Sequence, residues 1–175
     1  TLVVFRNMIY LNDMPEYYDH PDVALCPERM RNYWTDYSTN SLAKTPDTQM
    51  SRRKLIAKYQ ELAGLLHRLG VTILVGTDAP EPFVPPGFSM HQELEMLVDG
   101  GISPADALQA ATANNAAILG EEKNLGSLEA GKLADVVLLT ADPTKEIANT
   151  RKIELVIRGG IVCDPATVME AVPKK

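Results

Sequence analysis

The sequence predicts an α/β fold in which alternating strands and helices are followed by a separate β-strand module. Three observations lead to this prediction. An apolar stretch at 71–77 ends in a single carboxylate, Asp78, and parallel α/β folds place buried strands and their chemistry in this way. Helical periodicity is present on both sides of that stretch, at 51–69 and 90–118. After Gly120, short apolar runs separated by glycines follow without helices long enough for crossovers.

The first part of the chain contains a predicted strand, a long connection and a predicted helix. Residues 1–5 (TLVVF) are predicted to form a buried strand. Residues 6–50 contain four prolines, most of the aromatic residues and little periodicity. This composition is typical of a long connection with short helices near 28–38, which either covers a pocket as a lid or is packed down by its own aromatic residues. A helix over 51–69, ending at Gly70, is predicted by residues spaced along one helical face: Leu55, Tyr59, Leu62, Leu65, Leu66 and Leu69.

Local signals also set the elements that follow Asp78. A stiff, proline-rich loop occupies 80–87, and Ser89 is in position to cap a helix over 90–99 that ends at Gly100-Gly101. A capping serine, a first-turn proline and an acid three residues after the serine predict the start of the next helix. Ser103 is that capping serine, and the helix is predicted over 104–118. Short strands split by glycine turns are predicted within 125–140 and 153–163.

Composition and charge narrow the possible functions. Hydrophobic residues make up 45% and charged residues 23% of the chain, and the net charge is −6. These values are ordinary for a globular protein, and without a basic patch we expect no nucleic-acid partner. No apolar run reaches the length of a membrane span, so we expect no membrane partner. Cys26 and Cys163 lie far apart, which favours buried free thiols over a metal-binding pair.

The start of the chain bears on its origin. Thr1 already lies within an apolar run, and a natural N-terminus is seldom a buried strand. We therefore expect a C-terminal piece of a longer protein. A cytoplasmic location is favoured, but secretion stays open because the true N-terminus would lie elsewhere.

Four segments in a fixed order resemble the C-terminal portion of the amidohydrolase superfamily, and within it the imidazolonepropionase- and prolidase-like metal-dependent hydrolases. The resemblance implies a (β/α)8 TIM barrel with a small β-sandwich. This chain would supply about the last two βα units of the barrel, within residues 1–122, and part of the sandwich, within residues 123–170. The segments that carry the resemblance are GTDA at 76–79, the stretch at 88–120, LGSLEAGKLADVVLLTADP at 125–143 and VIRGGIVCD at 156–164.

The same resemblance implies roles for individual side chains. In such enzymes an aspartate at the end of the last barrel strand binds a divalent metal, often Zn²⁺, and transfers the proton of the metal-bound water. Asp78 matches that position and is the candidate catalytic residue and metal ligand. Taken alone, Gly-Thr-Asp also fits an acid that caps the following loop or binds backbone N–H groups. His91 is a candidate substrate contact at the barrel mouth or a capping histidine near a helix start. Glu93 and Glu95 are expected to be solvated, and His67 to be structural at a helix C-terminus.

Most of the family's metal ligands have no counterpart in the chain. The family pattern needs a His-x-His pair, a carboxylated lysine or a glutamate, and two further histidines, whereas this chain contains only His20, His67 and His91. One carboxylate does not hold zinc tightly, because a catalytic site takes three protein ligands. We therefore expect the chain alone to be inactive. Because a two-stranded remnant of a barrel leaves sheet edges unpaired, we also expect a homo-oligomer or association with the missing N-terminal part.

The leading hypothesis is part of a metal-dependent hydrolase that cleaves C–N bonds in a small-molecule substrate, such as a cyclic amide, an amidine or a dipeptide-like compound. Two alternatives stay open. One is a non-catalytic interaction or scaffolding module based on the strands within 125–165, and the other is a truncated pseudoenzyme. The substrate itself does not follow from the sequence, since the βα loops determine specificity in this barrel and six of the eight have no counterpart here.

Overall fold

The structure is a computed structural model of the 175-residue chain, and it describes residues 1–7, 19–41 and 46–170. Spatial contacts divide the chain into two units, Thr1–Ile102 and Ser103–Lys175. This division falls earlier than the predicted boundary after residue 122. The predicted boundary depends on register with a family rather than on contacts, so the assignment of domains to 1–122 and 123–170 stays a prediction.

The described part of the first unit is helical wherever it has regular structure. Helix α1 spans residues 3–7. It is followed by α2 (Pro21–Ala24), α3 (Glu28–Ser41), α4 (Pro46–Arg68) and α5 (Phe88–Asp99). The predictions of helices near 28–38, over 51–69 and over 90–99 are confirmed. The start of α5 differs from the prediction, because Gly87 rather than Ser89 is its N-cap, and Ser89 is fully buried within the first turn.

The two strands predicted for the first unit do not form. Residues 3–7 are helical, so the predicted strand at 1–5 is wrong, and residues 71–78 have no regular secondary structure. A strand requires a neighbour that pairs with its backbone N–H and C=O groups, so an apolar composition alone does not produce one. The α/β class is confirmed by the mixture of helices and sheet, whereas the barrel part of the predicted fold stays a prediction.

Helices α4 and α5 approach closely at two glycines. A Cβ atom on Gly64 would overlap the carbonyl oxygen of Gly100, and one on Gly100 would overlap the carbonyl oxygen of Gln60. The Gln60 side chain also donates a hydrogen bond to the carbonyl oxygen of Met96, at 3.1 Å. This contact turns one side of α4 toward α5. A core cluster of buried side chains lies in the same unit: Val3, Val4, Ile56, Val84 and Met96.

The leucine-rich face of α4 points away from that core. Leu55, Leu62 and Leu65 are each more than two fifths exposed, and Leu69 is 70% exposed. The helical periodicity that predicts α4 is therefore real, but four of its five leucines are exposed and the fifth, Leu66, is half-buried. Two residues of α4 are buried instead. They are Ile56, which follows Leu55, and Gly64, which precedes Leu65.

The second unit combines a broken helix with a small antiparallel sheet. The predicted helix over 104–118 is present as α6 (Pro104–Gln109), one π-helical turn (Ala110–Asn114) and α7 (Asn115–Ile118). Its predicted cap is confirmed, because the Ser103 hydroxyl oxygen accepts the backbone N–H of Asp106 at 3.1 Å. Strands β1 (Val136–Leu139), β2 (Ile153–Arg158) and β3 (Ile161–Cys163) pair in sequence order. A final helix, α8, spans Pro165–Glu170.

Glycines are required at two places in this unit, one a hairpin turn and the other a close packing contact. Strands β2 and β3 are joined by Gly159 and Gly160, which both have positive φ, as a two-residue hairpin turn requires. The carboxylate of Asp135 accepts the backbone N–H of Gly159 at 2.6 Å. Gly126 packs so tightly against the π-helical turn and α7 that a Cβ atom would lie 2.6 Å from the Cβ of Ala116. The prediction of strands split by a glycine turn is confirmed within 153–163, whereas within 125–140 only Val136–Leu139 forms a strand.

Candidate functional site

Asp78 lies at the start of a loop that connects the extended segment 71–77 to α5. Its side chain is exposed, and its backbone has φ +60°, a left-handed conformation that is costly for a residue with a Cβ atom. Its carbonyl oxygen accepts the N–H of Glu81 at 3.0 Å. Within the described part of the chain, no side chain forms a hydrogen bond or ion pair with the Asp78 carboxylate.

The loop after Asp78 is anchored in the interior. Pro82, Phe83, Val84 and Pro85 are buried, and Phe83 also has φ +60°. A second cluster of buried side chains surrounds Phe83, and it consists of Val23, Cys26, Trp34 and Phe83 itself. Asp78 and the three residues after it are thus exposed, and the loop enters the interior at Pro82.

Two buried side chains donate hydrogen bonds to the backbone of this loop. The indole Nε1 of Trp34 lies 3.1 Å from the carbonyl oxygen of Pro80. The amide Nδ2 of Asn7 lies 2.7 Å from the carbonyl oxygen of Phe83. Trp34 and Asn7 are both fully buried. In a helix or a strand these carbonyl groups would accept hydrogen bonds from backbone N–H groups. In this loop the side chains of Trp34 and Asn7 supply the donors instead.

A buried polar network continues from Asn7. The side-chain oxygen of Gln92 accepts hydrogen bonds from Asn7, at 3.1 Å, and from Arg6, at 2.7 Å. The side-chain nitrogen of Gln92 donates to the carboxylate of Asp22 at 3.3 Å. Gln92 is 4% exposed, and such networks specify one arrangement because a missing partner leaves a buried polar group unpaired. Helices α1, α2 and α5 are linked by these bonds.

Glu93 is not solvated, so that prediction is wrong. The residue is 3% exposed. Its carboxylate accepts the backbone N–H groups of Leu2, at 2.8 Å, and Val3, at 2.6 Å. These are N–H groups at the start of α1, which have no partner within the helix. An anion at this end is also favoured by the helix dipole. Glu93 therefore takes the place of an N-cap, from a position 90 residues away in the sequence.

The histidines occupy three separate elements. His91, the candidate substrate contact, is half-buried in the first turn of α5, in the same unit as Asp78. His67 lies in the last turn of α4, as expected for a structural residue. His20 is the N-cap of α2, and its Nδ1 accepts the N–H of Asp22 at 3.3 Å.

The sequence pattern does not predict that four side chains near the Asp78 loop and α1 are buried and hydrogen-bonded. No local pattern distinguishes a buried polar group from an exposed one, because its hydrogen-bond partner lies in a distant segment. The four are Trp34, Asn7, Gln92 and Glu93.

Both cysteines are free thiols, as predicted, but only Cys26 is buried and Cys163 is half-buried. Cys26 is buried, and burial raises the pKa of the Cys26 thiol above its ordinary value of 9.0, an effect that Arg31 opposes and Asp22 reinforces. A thiol of this kind is protonated at neutral pH and is a poor nucleophile. Nucleophilic cysteine chemistry is therefore not supported at this position.

The described residues do not fit a zinc site by themselves. No group of three His, Cys, Asp or Glu side chains able to hold a metal ion occurs among them. Asp78 offers one carboxylate, whereas catalytic zinc takes three protein ligands. These residues alone therefore do not form a catalytic zinc centre. In the same ranges, no helix combines the length and the apolar character needed to cross a membrane.

The chain belongs to the amidohydrolase family, whose sequence model matches residues 2–162. A stretch of 73 residues is 44% identical to an imidazolonepropionase of Symbiobacterium thermophilum and covers 41% of this chain and 17% of that protein. Among solved structures, a Bifidobacterium longum protein proposed to be a prolidase has a TM-score of 0.61 at 37% identity, over 73% of this chain and 31% of that one.

The fold is also similar to that of a bottromycin amidohydrolase. The TM-score is 0.76 at 23% identity, and the match covers 97% of this chain and 37% of that structure. At this identity the likeness concerns the fold alone. The chain thus spans well under half the length of each of these proteins. The family assignment made from the sequence is confirmed.

Proposed function

We propose that this chain is part of a hydrolase that cleaves a C–N bond in a small-molecule substrate, with Asp78 as a catalytic residue. The observation that carries the proposal is the position of Asp78 within a family match that extends over residues 2–162. An exposed carboxylate stands there at the start of a loop whose central residues, 82–85, are buried. The family match and the relative named as an imidazolonepropionase support hydrolysis of a C–N bond.

The chemistry of a carboxylate suits this reaction. Asp78 would accept a proton from an attacking water as the water oxygen adds to the carbon of the C–N bond. It would then return that proton to the nitrogen as the bond breaks, so that the amine leaves in neutral form. Proton transfer by a positioned side chain contributes about 10²- to 10⁴-fold to the rate. His91, on α5 of the same unit, is the proposed substrate contact.

Members of this family typically use a divalent metal. We propose that the complete enzyme uses one or two divalent ions, with zinc as the first choice and Asp78 as one ligand. The chain alone contains three histidines and would be inactive. We further propose that it associates with copies of itself or with further parts of the enzyme. The exposed leucines of α4 support association, because exposed apolar faces of this kind mark contact surfaces.

The proposal is tested with the complete gene product that contains this sequence. The panel of substrates comprises cyclic amides, cyclic amidines, N-acyl amino acids and dipeptides. Asp78→Asn should lower kcat about 100-fold or more, whereas Asp99→Asn, an exposed acid at the end of α5, should not. Retention of most of the activity in Asp78→Asn would overturn the role of Asp78.

Metal content gives a second, independent measurement. The wild-type protein should contain a divalent metal by mass spectrometry, lose activity with a chelator and regain it with added Zn²⁺. A complete protein that contains no metal and tolerates Asp78→Asn would favour the scaffolding alternative instead.

A further inference from the structure

We propose that Trp34 and Asn7 are positioning residues for Asp78, acting through the backbone of the loop that follows it. This inference rests on the proposed function of Asp78 but adds two side chains from distant parts of the sequence. Both donors bind the loop backbone rather than the Asp78 carboxylate. Each holds a backbone carbonyl within five residues of Asp78, at Pro80 and at Phe83.

The need for such support follows from the backbone of Asp78. A left-handed conformation costs a residue with a Cβ atom free energy, and it persists only where the surrounding structure enforces it. Asp78 and Glu81 close a turn through the bond from the Glu81 N–H to the Asp78 carbonyl. Pro80 lies within that turn. The Trp34 indole N–H therefore fixes the turn in which the orientation of the Asp78 carboxylate is set.

The second anchor lies where the loop turns inward. The Asn7 amide holds the carbonyl of Phe83, whose own φ is +60°. The Phe83 ring packs on Trp34, with ring centroids 5.3 Å apart. The residue held by Asn7 is therefore in direct contact with the residue that holds Pro80. Asn7 is itself fixed by Gln92 and Arg6. The loop is thus held at two points by groups whose own positions are fixed by packing and hydrogen bonds, as precise catalytic geometry requires.

The experiment removes one of the two hydrogen-bond donors without removing the ring that carries it. In the complete gene product, 3-benzothienylalanine installed at position 34 alone keeps the bicyclic shape but replaces the N–H by sulfur. A matched protein carries 4-fluorotryptophan at the same position, which retains the donor. Asn7→Asp is the second variant, because it keeps the side-chain shape but presents only acceptors to the Phe83 carbonyl. Tyr33→Phe, at a 60% exposed neighbour of Trp34, is the control substitution.

Two readouts separate loop holding from catalysis. Hydrogen exchange in the peptide that contains the Glu81 and Val84 amides should become about fivefold faster without the indole donor. Exchange near Gly100, at the end of α5, should not change. With a substrate of the wild-type enzyme, kcat should fall about tenfold or more, with KM within about twofold. The 4-fluorotryptophan protein should retain wild-type values for both.

The results distinguish three claims: that the two donors hold the loop, that they position Asp78, and that Asp78 is catalytic. Unchanged exchange at Glu81 and Val84 in both the benzothienylalanine protein and Asn7→Asp would show that the two donors do not hold the loop. Faster exchange with an unchanged kcat, in an enzyme that Asp78→Asn inactivates, would overturn the positioning role and leave the proposed function intact. An active Asp78→Asn protein would overturn the proposed function and with it the catalytic part of this inference, while the exchange rates would still decide whether the loop is held.

Discussion

The Glu93 carboxylate lies 2.6 Å from the backbone nitrogen of Val3, and this contact joins the start of α1 to α5. Glu93 is nearly inaccessible to solvent, and Val3 is fully buried. The carboxylate accepts the free N–H groups at the start of α1, which no residue of α1 itself can satisfy. A charged side chain is thereby retained in the interior of the unit, at the place where a helix end most favours an anion.

Removal of the Glu93 carboxylate should destabilise the protein. Glu93→Ala leaves the half-buried N–H group of Leu2 and the buried N–H group of Val3 without the carboxylate that accepts them. Because hydrogen bonds to charged groups contribute about 1.5–3 kcal/mol each, we expect the free energy of unfolding to fall by about 2–3 kcal/mol. Urea unfolding measures it. Asp99→Ala, an exposed acid on the same helix, is the control and should change stability by less than about 0.5 kcal/mol. Equal effects of the two substitutions would contradict the assigned contact.

Gly64→Ala should destabilise the protein, although alanine is the better helix former. Helix propensity alone would stabilise α4 by about 1 kcal/mol. The new methyl group, however, would overlap the backbone of Gly100, and forcing extra atoms into a packed contact costs about 1–3 kcal/mol. The steric effect should win, so the melting temperature should fall. Gly76→Ala is the control, because a Cβ there meets no atom of the described residues within 4 Å. A rise in melting temperature for Gly64→Ala would show that the helices are not in close contact.

Asp78→Gly should separate stability from activity. Glycine adopts a φ of +60° without the steric cost that aspartate bears. We therefore expect the free energy of unfolding to stay constant or to rise by up to about 1 kcal/mol, while hydrolysis is lost. Phe83→Gly is the informative comparison, because Phe83 has the same φ but is fully buried. It should lose about 3–5 kcal/mol, as for other truncations of buried aromatic residues. Marked destabilisation by Asp78→Gly would count against strain at this position.

Asp142 should titrate at low pH. Its carboxylate oxygen accepts the Thr144 hydroxyl at 2.6 Å and the Thr144 backbone N–H at 2.9 Å. The hydroxyl first, and the N–H second, hold the pKa of Asp142 below its ordinary value of 3.8. A depressed pKa means that the folded state favours the ionised carboxylate. The resulting stabilisation is present above pH 3.8 and is lost as the pH falls through the lower, folded-state pKa.

NMR titration of the Asp142 carboxyl carbon measures this pKa directly. In Thr144→Val the hydroxyl donor is absent but the backbone N–H remains. The pKa of Asp142 should therefore move back toward 3.8 without reaching it. An identical titration curve in Thr144→Val would show that the hydroxyl does not stabilise the carboxylate.

The sequence by itself determined the elements whose signals lie within a few residues of one another. Spacing predicted α4, the Ser103 cap predicted the start of α6, and the glycines between β2 and β3 predicted the turn. Each of these depends on local backbone preferences and on contacts one helical turn away. The family resemblance likewise depends on short segments in a fixed order, and it singled out Asp78.

Only the tertiary structure decided which polar residues are buried and what becomes of an apolar segment. The run at 1–5 has the composition of a strand, yet residues 3–7 are helical, with Glu93 capping them from α5. Trp34 reaches the loop of Asp78 across 46 positions, and Asn7 does so across 76. The physical reason is that a hydrogen bond between distant segments leaves no periodic trace in either segment. Its partners are defined only when the chain has folded.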